Sequence, residues 1–419
     1  MLDLKFIRDN LNEIKEGARK KHVSVDLDKL VSLDELRREI IQKVEGLRHK
    51  QNVVSKEISQ TKDQQKIVEM QQLKKELGAY EDRLKKVEEE LNNLLLQVPQ
   101  IPHESVPEGD SDQENKPVKF WGKVPKFNFP VKDHIALMKD LDLADFERGA
   151  KVAGFRGYFL KNEGAMLSYA LWQYALNNLV KKKFVPVIAP SLVKEESFIG
   201  TGWLPQGKEE VYRTQDDLYL AGTAEVPMMG MYQDEILEES ELPKKFAAFS
   251  PCFRREAGSY GKDTKGIYRL HEFMKVEQVV ICVADKEMSV RFHEELTKNA
   301  EDLLRSLDLP YRVVLNCAGD LGLGQVKKYD IETWIPSQEK YGETHSSSYF
   351  YDFQTRRLNI RYRNKEGKVE YAHSLNNTAM ATPRILINIL ENYQQKDGSI
   401  KIPKVLRPYM NGLKVIKRK

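Results

Sequence analysis

The chain has 419 residues, of which 41% are hydrophobic and 31% charged, which predicts a globular protein with more than one domain. Its formal net charge of +4 is too small to indicate nucleic-acid binding by the whole surface, so any RNA site would have to be local. Three cysteines without a CxxC pair argue against a disulfide framework or a zinc cage, and the charged N-terminus resembles neither a signal peptide nor a membrane span. We therefore expect a cytoplasmic protein with no membrane partner.

Apolar residues recur at alternating steps of three and four between residues 27 and 98, which is the pattern of a coiled-coil seam. One series runs from Ile40 to Thr61 and another from Met70 to Val98, with the polar segment 61–66 between them. The simplest geometry is a hairpin of two antiparallel helices, on the order of 50 Å long at 1.5 Å rise per residue. Such an arm is too narrow to bury much surface, so we expect it to project from a larger body.

Basic residues outnumber acidic ones in the outer half of this arm. They are Lys43, Arg48, Lys50, Lys56, Lys62, Lys66, Lys74 and Lys75. A local excess of positive charge suits the phosphate backbone of an RNA. Charged faces of coiled coils are also commonly just solvated, and the arm alone leaves both interpretations open.

Prolines recur from Pro99 to Pro130, the composition of a linker, and we place a domain boundary near residue 110, between residues 1–110 and 111–419. Beyond it, helical patterns occupy 131–154 and 164–184, and later segments alternate like strands. Because helices come in blocks and strands in runs, we expect an α+β fold with an antiparallel sheet flanked by helices. Neither a Walker loop nor a GxGxxG motif follows a strand, so arginines would have to hold any nucleotide.

A hairpin rich in arginine and acids is predicted within residues 253–277, FRREAGSYGKDTKGIYRLHEFMKVE. Arg254 and Glu256 are two residues apart and so share one face of a strand, and Phe273 and Glu277 repeat that period on the returning strand. An arginine fork suits a phosphate, an aromatic ring suits a purine, and carboxylates accept from an amine or a hydroxyl. This hairpin therefore suits a nucleotide beside an amino acid, although cross-strand ion pairs would give the same spacing.

The hairpin resembles motif 2 of the class II aminoacyl-tRNA synthetases, and the version CFRREAGSYGKDTKGIYRLHEFMKVEQ resembles the seryl-tRNA synthetase family in particular. Further segments agree with that family in order and spacing: IPHESVPEG (101–109), VIAPSLVKEESFIGTGWLP (187–205), LAGTAEVP (220–227), WIPSQEKYGETHSSSYFYDFQTRRLNIRYR (334–363) and HSLNNTAMATPRILINILENYQ (373–394). The resemblance covers nearly the whole chain. It implies a class II synthetase-like antiparallel β-sheet flanked by helices (111–419), preceded by a tRNA-binding domain (1–110) whose long antiparallel α-helical coiled-coil arm spans about 27–98.

The resemblance also implies an ATP-dependent ligase that joins L-serine to tRNA(Ser), and to tRNA(Sec) where a cell has one. The positions that match the serine-binding residues are Thr223, Ala224, Glu225, Glu277 and Thr378. Those that match the ATP-binding residues are Arg254, Arg255, Glu256, Phe273, Glu343, Thr344, His345, Ser346 and Arg384. Among them, Arg254 and Arg384 take the catalytic positions beside the phosphates, and Glu343 and Ser346 match the segment linked to Mg²⁺. The family further implies a homodimer, with Pro190 in motif 1 at the interface.

Two segments depart from the family pattern. ETHSSSY (343–349) stands where the family has ExSSCSN, and NNTAMATPR (376–384) replaces NGSGLAVGR. We expect His345 to pack rather than bind a metal because no second histidine follows at i+4, and Pro383 predicts the first turn of a helix. Two other functions remain possible at this point: a non-catalytic RNA-binding or structural paralogue, and a ligase that loads a carrier protein instead of tRNA.

Overall fold

The computed structural model describes residues 1–61, 63–259 and 265–418. Lys62, one of the basic residues predicted near the tip of the arm, lies outside these residues, as do residues 260–264 of the predicted hairpin loop. The chain divides into two compact units, Met1–Ile101 and Pro102–Lys419, so the division falls inside the proline-containing segment. Within the described ranges, no helix has the length and apolar run needed to cross a bilayer.

The first unit is helical. Its helices are α1 (Leu4–Asp9), α2 (Leu11–Lys20), α3 (Leu27–Thr61) and α4 (Gln64–Leu95). Asp63 caps α4 by accepting a hydrogen bond from the Gln65 amide, which helps to fix where the chain reverses. α3 and α4 pack along the predicted apolar seam, where Val44 and Leu91 are buried, and this confirms the predicted helical arm.

Ion pairs between α3 and α4 use part of the basic charge of the arm. Arg48 lies 2.7 Å from Glu81, and Lys66 lies 3.0 Å from Glu57, both as nitrogen-to-oxygen distances. These side chains are half exposed, so solvent screens both pairs and they add little to the stability of the hairpin. Nearer the root of the arm, Lys29 pairs with Glu90 and Arg37 with Glu88, so acidic residues offset the basic charge there as well.

The second unit is built on strands. They are β1 (Lys116–Trp121), β2 (Ala144–Asp145), β3 (Phe159–Leu160), β4 (Val185–Ile188), β5 (Leu192–Val193), β6 (Tyr212–Arg213), β7 (Tyr219–Leu220), β8 (Ile236–Glu238), β9 (Lys244–Phe253), β10 (Glu272–Cys282), β11 (Tyr311–Leu315), β12 (Lys327–Ile335), β13 (Lys340–Tyr351), β14 (Arg361–Arg363), β15 (Val369–Tyr371), β16 (His373–Ala381), β17 (Ile400–Lys401) and β18 (Val415–Ile416). The described residues form an eight-stranded sheet in the order β1-β11-β12-β13-β16-β10-β9-β4. All of its pairs are antiparallel except β4 with β9, which confirms the predicted fold class.

Helices cover one face of this sheet. The helices of the unit are α5 (His134–Asp140), α6 (Phe146–Ala153), α7 (Asn162–Lys181), α8 (Glu195–Thr201), α9 (Glu225–Gly230), α10 (Lys286–Ser306), α11 (Phe353–Arg357) and α12 (Thr382–Asn392). α7, α10 and α12 bury Leu171, Leu296 and Ile385 against the sheet in one continuous hydrophobic core. On the opposite face, Met228 and Met229 of α9 pack against Ala248 and Val279, and other parts of the central strands line a cavity.

Candidate active site

A cavity of about 380 Å³ lies over β10, β13 and β16, the central strands of the sheet. Most of the predicted site residues line it: Thr223, Glu225, Arg254, Glu256, Phe273, Glu277, Glu343, Thr344, His345, Ser346, Thr378 and Arg384. Two predicted residues lie elsewhere. Ala224 is buried beneath the cavity at the start of α9, and Arg255 is exposed, with a guanidinium nitrogen 3.4 Å from a carboxylate oxygen of Glu209.

Two irregularities in strand pairing place key side chains on the cavity face. In the β10–β16 pair the register shifts so that Glu277 stands opposite Thr378, and in the β12–β13 pair it shifts beside Thr344. A bulge inserts one residue into the alternation of a strand. Because of the second shift, Glu343 and Ser346 face the same cavity although they are three residues apart.

One half of the cavity begins at Arg254, immediately after β9 ends at Phe253. The Arg254 backbone amide donates to the His271 carbonyl (3.0 Å), and its side-chain Nε donates to the Gly222 carbonyl (3.2 Å). The guanidinium carbon lies 5.4 Å from the centroid of the Phe273 ring, within range of a cation–π contact. Arg254 is thus held from two sides and still presents a cation to the cavity.

Arg384 supplies a second cation, from the first turn of α12. Its Nη1 donates to the Glu343 carbonyl (2.9 Å) and lies 3.3 Å from the Glu343 carboxylate, while Nε donates to the Tyr268 carbonyl (3.3 Å). Pro383 occupies the start of the helix, as its sequence position predicts. Burial opposes the ionised form of Glu343, but Arg384 with Lys328 and Arg254 outweighs it and lowers the pKa of Glu343, so this carboxylate stays charged.

An acidic and basic pair lies beneath this half of the cavity. Lys328 Nζ is 3.1 Å from Asp330, which also accepts from the side-chain amide of Asn316 at 2.7 Å. Burial raises the pKa of Asp330, an effect that Lys328 reduces and Glu343 reinforces. Lys328 therefore adds positive charge next to Glu343, and the nearby acids Asp330 and Asp320 partly offset that charge.

The other half of the cavity holds two buried carboxylates, Glu225 and Glu277. Glu225 accepts a hydrogen bond from the Gln354 side-chain amide at 2.6 Å. Burial and, after it, the nearby charge of Glu277 raise the pKa of Glu225 to about 7, against the lowering influence of Gln354. Glu277 accepts from the Thr378 hydroxyl at 3.3 Å and lies 2.5 Å from the ammonium group of Lys275. Two acids and one cation thus form a compact polar pocket.

His345 is packed inside the sheet, with 1% of its surface exposed. Its Nδ1 is 2.8 Å from the Thr344 hydroxyl, and burial lowers its pKa to about 4. The ring is therefore neutral at physiological pH. Within the described residues, no cluster of three or more His, Cys, Asp or Glu side chains is arranged to hold a metal ion.

Several cavity residues have no counterpart in the roles implied by the family resemblance. Lys275, Gln354, Tyr268 and Lys328 either line the cavity or contact residues that do. The sequence spacing alone could have pointed to Lys275, because a period of two places it on the same face of β10 as Phe273 and Glu277. Gln354 and Lys328 come from distant segments, so only the fold brings them to the site.

The fold and the cavity together define the catalytic core of a class II aminoacyl-tRNA synthetase. The family described as "tRNA synthetase class II core domain (G, H, P, S and T)" matches residues 209–393, and the "Seryl-tRNA synthetase N-terminal domain" matches residues 1–102. The serine–tRNA ligase of Deinococcus radiodurans is 45% identical over 420 residues, covering 99% of each chain. The chain belongs to the seryl-tRNA synthetase family.

Solved structures agree with this assignment along the whole chain. The crystal structure of seryl-tRNA synthetase from Pyrococcus horikoshii, complexed with ATP, has a TM-score of 0.92 at 38% identity and covers 100% of both chains. The cytoplasmic serine–tRNA ligase of Naegleria fowleri, in complex with AMP, has a TM-score of 0.90 at 35% identity, covering 100% of this chain and 99% of the other.

Proposed function

We propose that the protein is a serine–tRNA ligase that activates L-serine with ATP and transfers the seryl group to the 3′ end of tRNA(Ser). The observation that carries this proposal is that one cavity holds two guanidinium groups, Arg254 and Arg384, beside two buried carboxylates, Glu225 and Glu277. The cations suit the phosphates of ATP, and the carboxylates suit the ammonium and hydroxyl groups of serine.

In the first step, the serine carboxylate attacks the α-phosphorus of ATP and pyrophosphate leaves, which forms a mixed anhydride with AMP. Two anions must approach each other, so positive charge and orientation matter more than a general base. We assign Arg254 to the α-phosphate and Arg384 to the terminal phosphates. Phe273 would stack on the adenine, and Glu256 would accept from its amino group.

Thr223, Glu225, Glu277 and Thr378 would bind serine, with Glu225 at the ammonium and Glu277 at the hydroxyl. Discrimination against alanine follows because a charged acceptor left without its partner costs about 1–3 kcal/mol. In the second step, the terminal ribose hydroxyl of the tRNA attacks the acyl carbon and AMP leaves. The same transfer to tRNA(Sec), which the family resemblance implies, is part of the proposal.

A Mg²⁺ ion fits the nucleotide half of the cavity. Mg²⁺ on a nucleotide is commonly held by one or two protein oxygens, the phosphates and water, and Glu343 with Ser346 offers a carboxylate and a hydroxyl on one face. When bound, the ion would neutralise phosphate charge. The Arg384 guanidinium keeps the Glu343 carboxylate ionised and so ready to act as a ligand.

We further propose a cytoplasmic homodimer. β4 forms one edge of the eight-stranded sheet, and its Ile188 and Val185 side chains are 84% and 53% exposed. An apolar strand at a sheet edge is a natural surface for pairing with a second copy. Light scattering should give twice the monomer mass, and Ile188→Glu should yield monomers.

The buried free cysteines Cys252, Cys282 and Cys317 suit a reducing compartment, which supports the proposed cytoplasmic location.

The test of the catalytic proposal is pyrophosphate exchange with single amino acids, followed by charging of total tRNA. We expect pyrophosphate exchange with serine. We also expect serine to be attached to total tRNA and, equally, to a tRNA(Ser) transcript made in vitro. Exchange with alanine or threonine but not serine would reject the substrate. Stoichiometric tRNA binding without any adenylate would favour the non-catalytic paralogue.

The arm provides the second test. The family match to residues 1–102 supports a tRNA-binding role for this unit. Deleting residues 30–95 should abolish charging of tRNA while serine-dependent exchange continues. Charging at the full rate without the arm would instead support a ligase that loads a carrier protein.

A further inference from the structure

Lys275 is a buried cation at the centre of the amino-acid half of the cavity. It lies on β10 between Phe273 and Glu277, and 5% of its surface is exposed. Its Nζ is 2.5 Å from Glu277 Oε2, 2.8 Å from the Thr223 hydroxyl and 3.5 Å from the Thr378 hydroxyl. One ammonium group therefore contacts three of the residues that we assign to serine.

The two carboxylates of this pocket pose an electrostatic problem. Serine brings a single ammonium group, whereas Glu225 and Glu277 are both buried and a buried charge needs a partner. The contacts of the two acids differ. Lys275 pairs directly with Glu277, while Glu225 accepts from the neutral amide of Gln354 at 2.6 Å.

We propose that Lys275 is a positioning residue that sets amino-acid specificity by neutralising Glu277 and orienting it toward the substrate hydroxyl. This leaves the Glu225 carboxylate for the substrate ammonium. The inference rests on the proposed function, because it assigns separate tasks to the two acids of that site.

The geometry supports an orienting role. Among the described residues, both contacts of the Glu277 carboxylate, with Lys275 and with the Thr378 hydroxyl, use Oε2. Oε1 is then available to accept from a ligand hydroxyl. Thr378 stands opposite Glu277 because of the register shift in the β10–β16 pair, so this arrangement is built into the sheet.

The charge of Lys275 also explains how the pocket separates serine from alanine. A carboxylate paired with a lysine accepts hydrogen bonds, so it favours a substrate that donates one. Without the lysine, both carboxylates would compete for the substrate ammonium. That competition weakens the advantage of a hydroxyl group and reduces discrimination.

Lys275→Gln tests this inference, because glutamine can still donate to the Thr223 hydroxyl but carries no charge. In pyrophosphate exchange we expect the serine KM to rise about 30-fold while the ATP KM stays within about twofold. The ratio of kcat/KM for serine over alanine should fall at least about tenfold. Lys275→Arg, which keeps the charge, should restore part of that ratio.

A serine-to-alanine ratio within about twofold of the wild type in Lys275→Gln would overturn the inference. Equal increases in the KM for serine and for ATP would also overturn it, since they would indicate a general packing role. If Lys275→Gln fails to fold, Lys275→Met replaces it, because methionine keeps an unbranched apolar stem without the charge. We then expect the same loss of discrimination, and a wild-type serine-to-alanine ratio in a folded Lys275→Met variant would overturn the inference.

The same assays separate this inference from the proposed function. A wild-type protein that shows no serine-dependent exchange would reject the proposed function itself. A wild-type protein that is active with serine, together with an unaffected Lys275→Gln variant, would reject only the role of Lys275.

Discussion

The apparent affinity for serine should depend on pH through Glu225. The pKa of this buried carboxyl is about 7 instead of its usual 4.5, because burial and the neighbouring Glu277 disfavour its charge. In its proposed role, Glu225 binds the substrate ammonium in the ionised form, so we expect serine binding to weaken as the pH falls below 7. Each pH unit below the pKa then costs about 1.4 kcal/mol, which is tenfold in affinity.

The expected change is large enough to measure. With a pKa of about 7, roughly 3% of the protein carries the Glu225 carboxylate at about pH 5.5 and roughly 90% at about pH 8, so the serine KM should differ by roughly 30-fold. The other charged groups facing Glu225 are Glu277, Lys275 and Arg254. His345 of the same cavity, with a pKa of about 4, stays neutral over this range.

The assay is pyrophosphate exchange at saturating ATP, with the serine KM determined at each pH. Glu225→Gln is the matched control, because the amide keeps the shape of the carboxyl but cannot ionise. Its serine KM should be high and independent of pH. A wild-type KM that changes less than about threefold between these pH values would refute the reasoning, as would a pH step that survives in Glu225→Gln.

Three further variants test other parts of the structure. Arg384→Ala should raise the ATP KM by about 10- to 100-fold with little effect on the serine KM in exchange assays, because a charge-assisted contact to phosphate is lost; a larger effect on serine would contradict the assignment. Glu343→Gln should raise the Mg²⁺ concentration needed for half-maximal exchange several-fold, and an unchanged Mg²⁺ titration would rule out Glu343 as a ligand. Ile14→Ala, at a fully buried position of the first unit, should lower the free energy of unfolding in urea by about 2–5 kcal/mol, whereas the half-exposed Val53→Ala should cost less than about 1 kcal/mol; equal losses would contradict the packing described.

Much of the fold could be predicted because periodic patterns are long where packing is regular. The seam from Met70 to Val98 predicts α4 because one apolar stripe is buried along its length. The alternation of apolar residues predicts β9 and β10. It does not predict the central strands β13 and β16, because they carry serine, threonine and asparagine where an ordinary core strand has apolar residues.

The sequence pattern gave wrong bounds for one element and missed another. The alternation in RLNIRYR (357–363) predicts a strand, but only Arg361–Arg363 forms β14, because α11 extends to Arg357 and a turn follows. α10 was not predicted, although its amphipathic face packs against β13 and β16.

The cavity could be predicted as a set of residues but not as a geometry. Family motifs named Glu277 and Thr378, yet nothing in their spacing shows that they stand opposite each other in the sheet. Arg255 was grouped with Arg254, and the structure turns it toward the exposed Glu209 because adjacent side chains on an extended segment point apart. Gln354, 129 residues beyond Glu225 in the chain, reaches that carboxylate only through tertiary packing.

The shifts of register in β13 and β16 make this catalytic surface sensitive to the number of residues as well as to their identity. A substitution at either position changes one side chain, whereas a single-residue deletion would rotate every side chain beyond it to the opposite face of the sheet. Ser346 would then point toward α10 and away from the cavity. Evolution can therefore exchange residues along these strands far more readily than it can shorten or lengthen them.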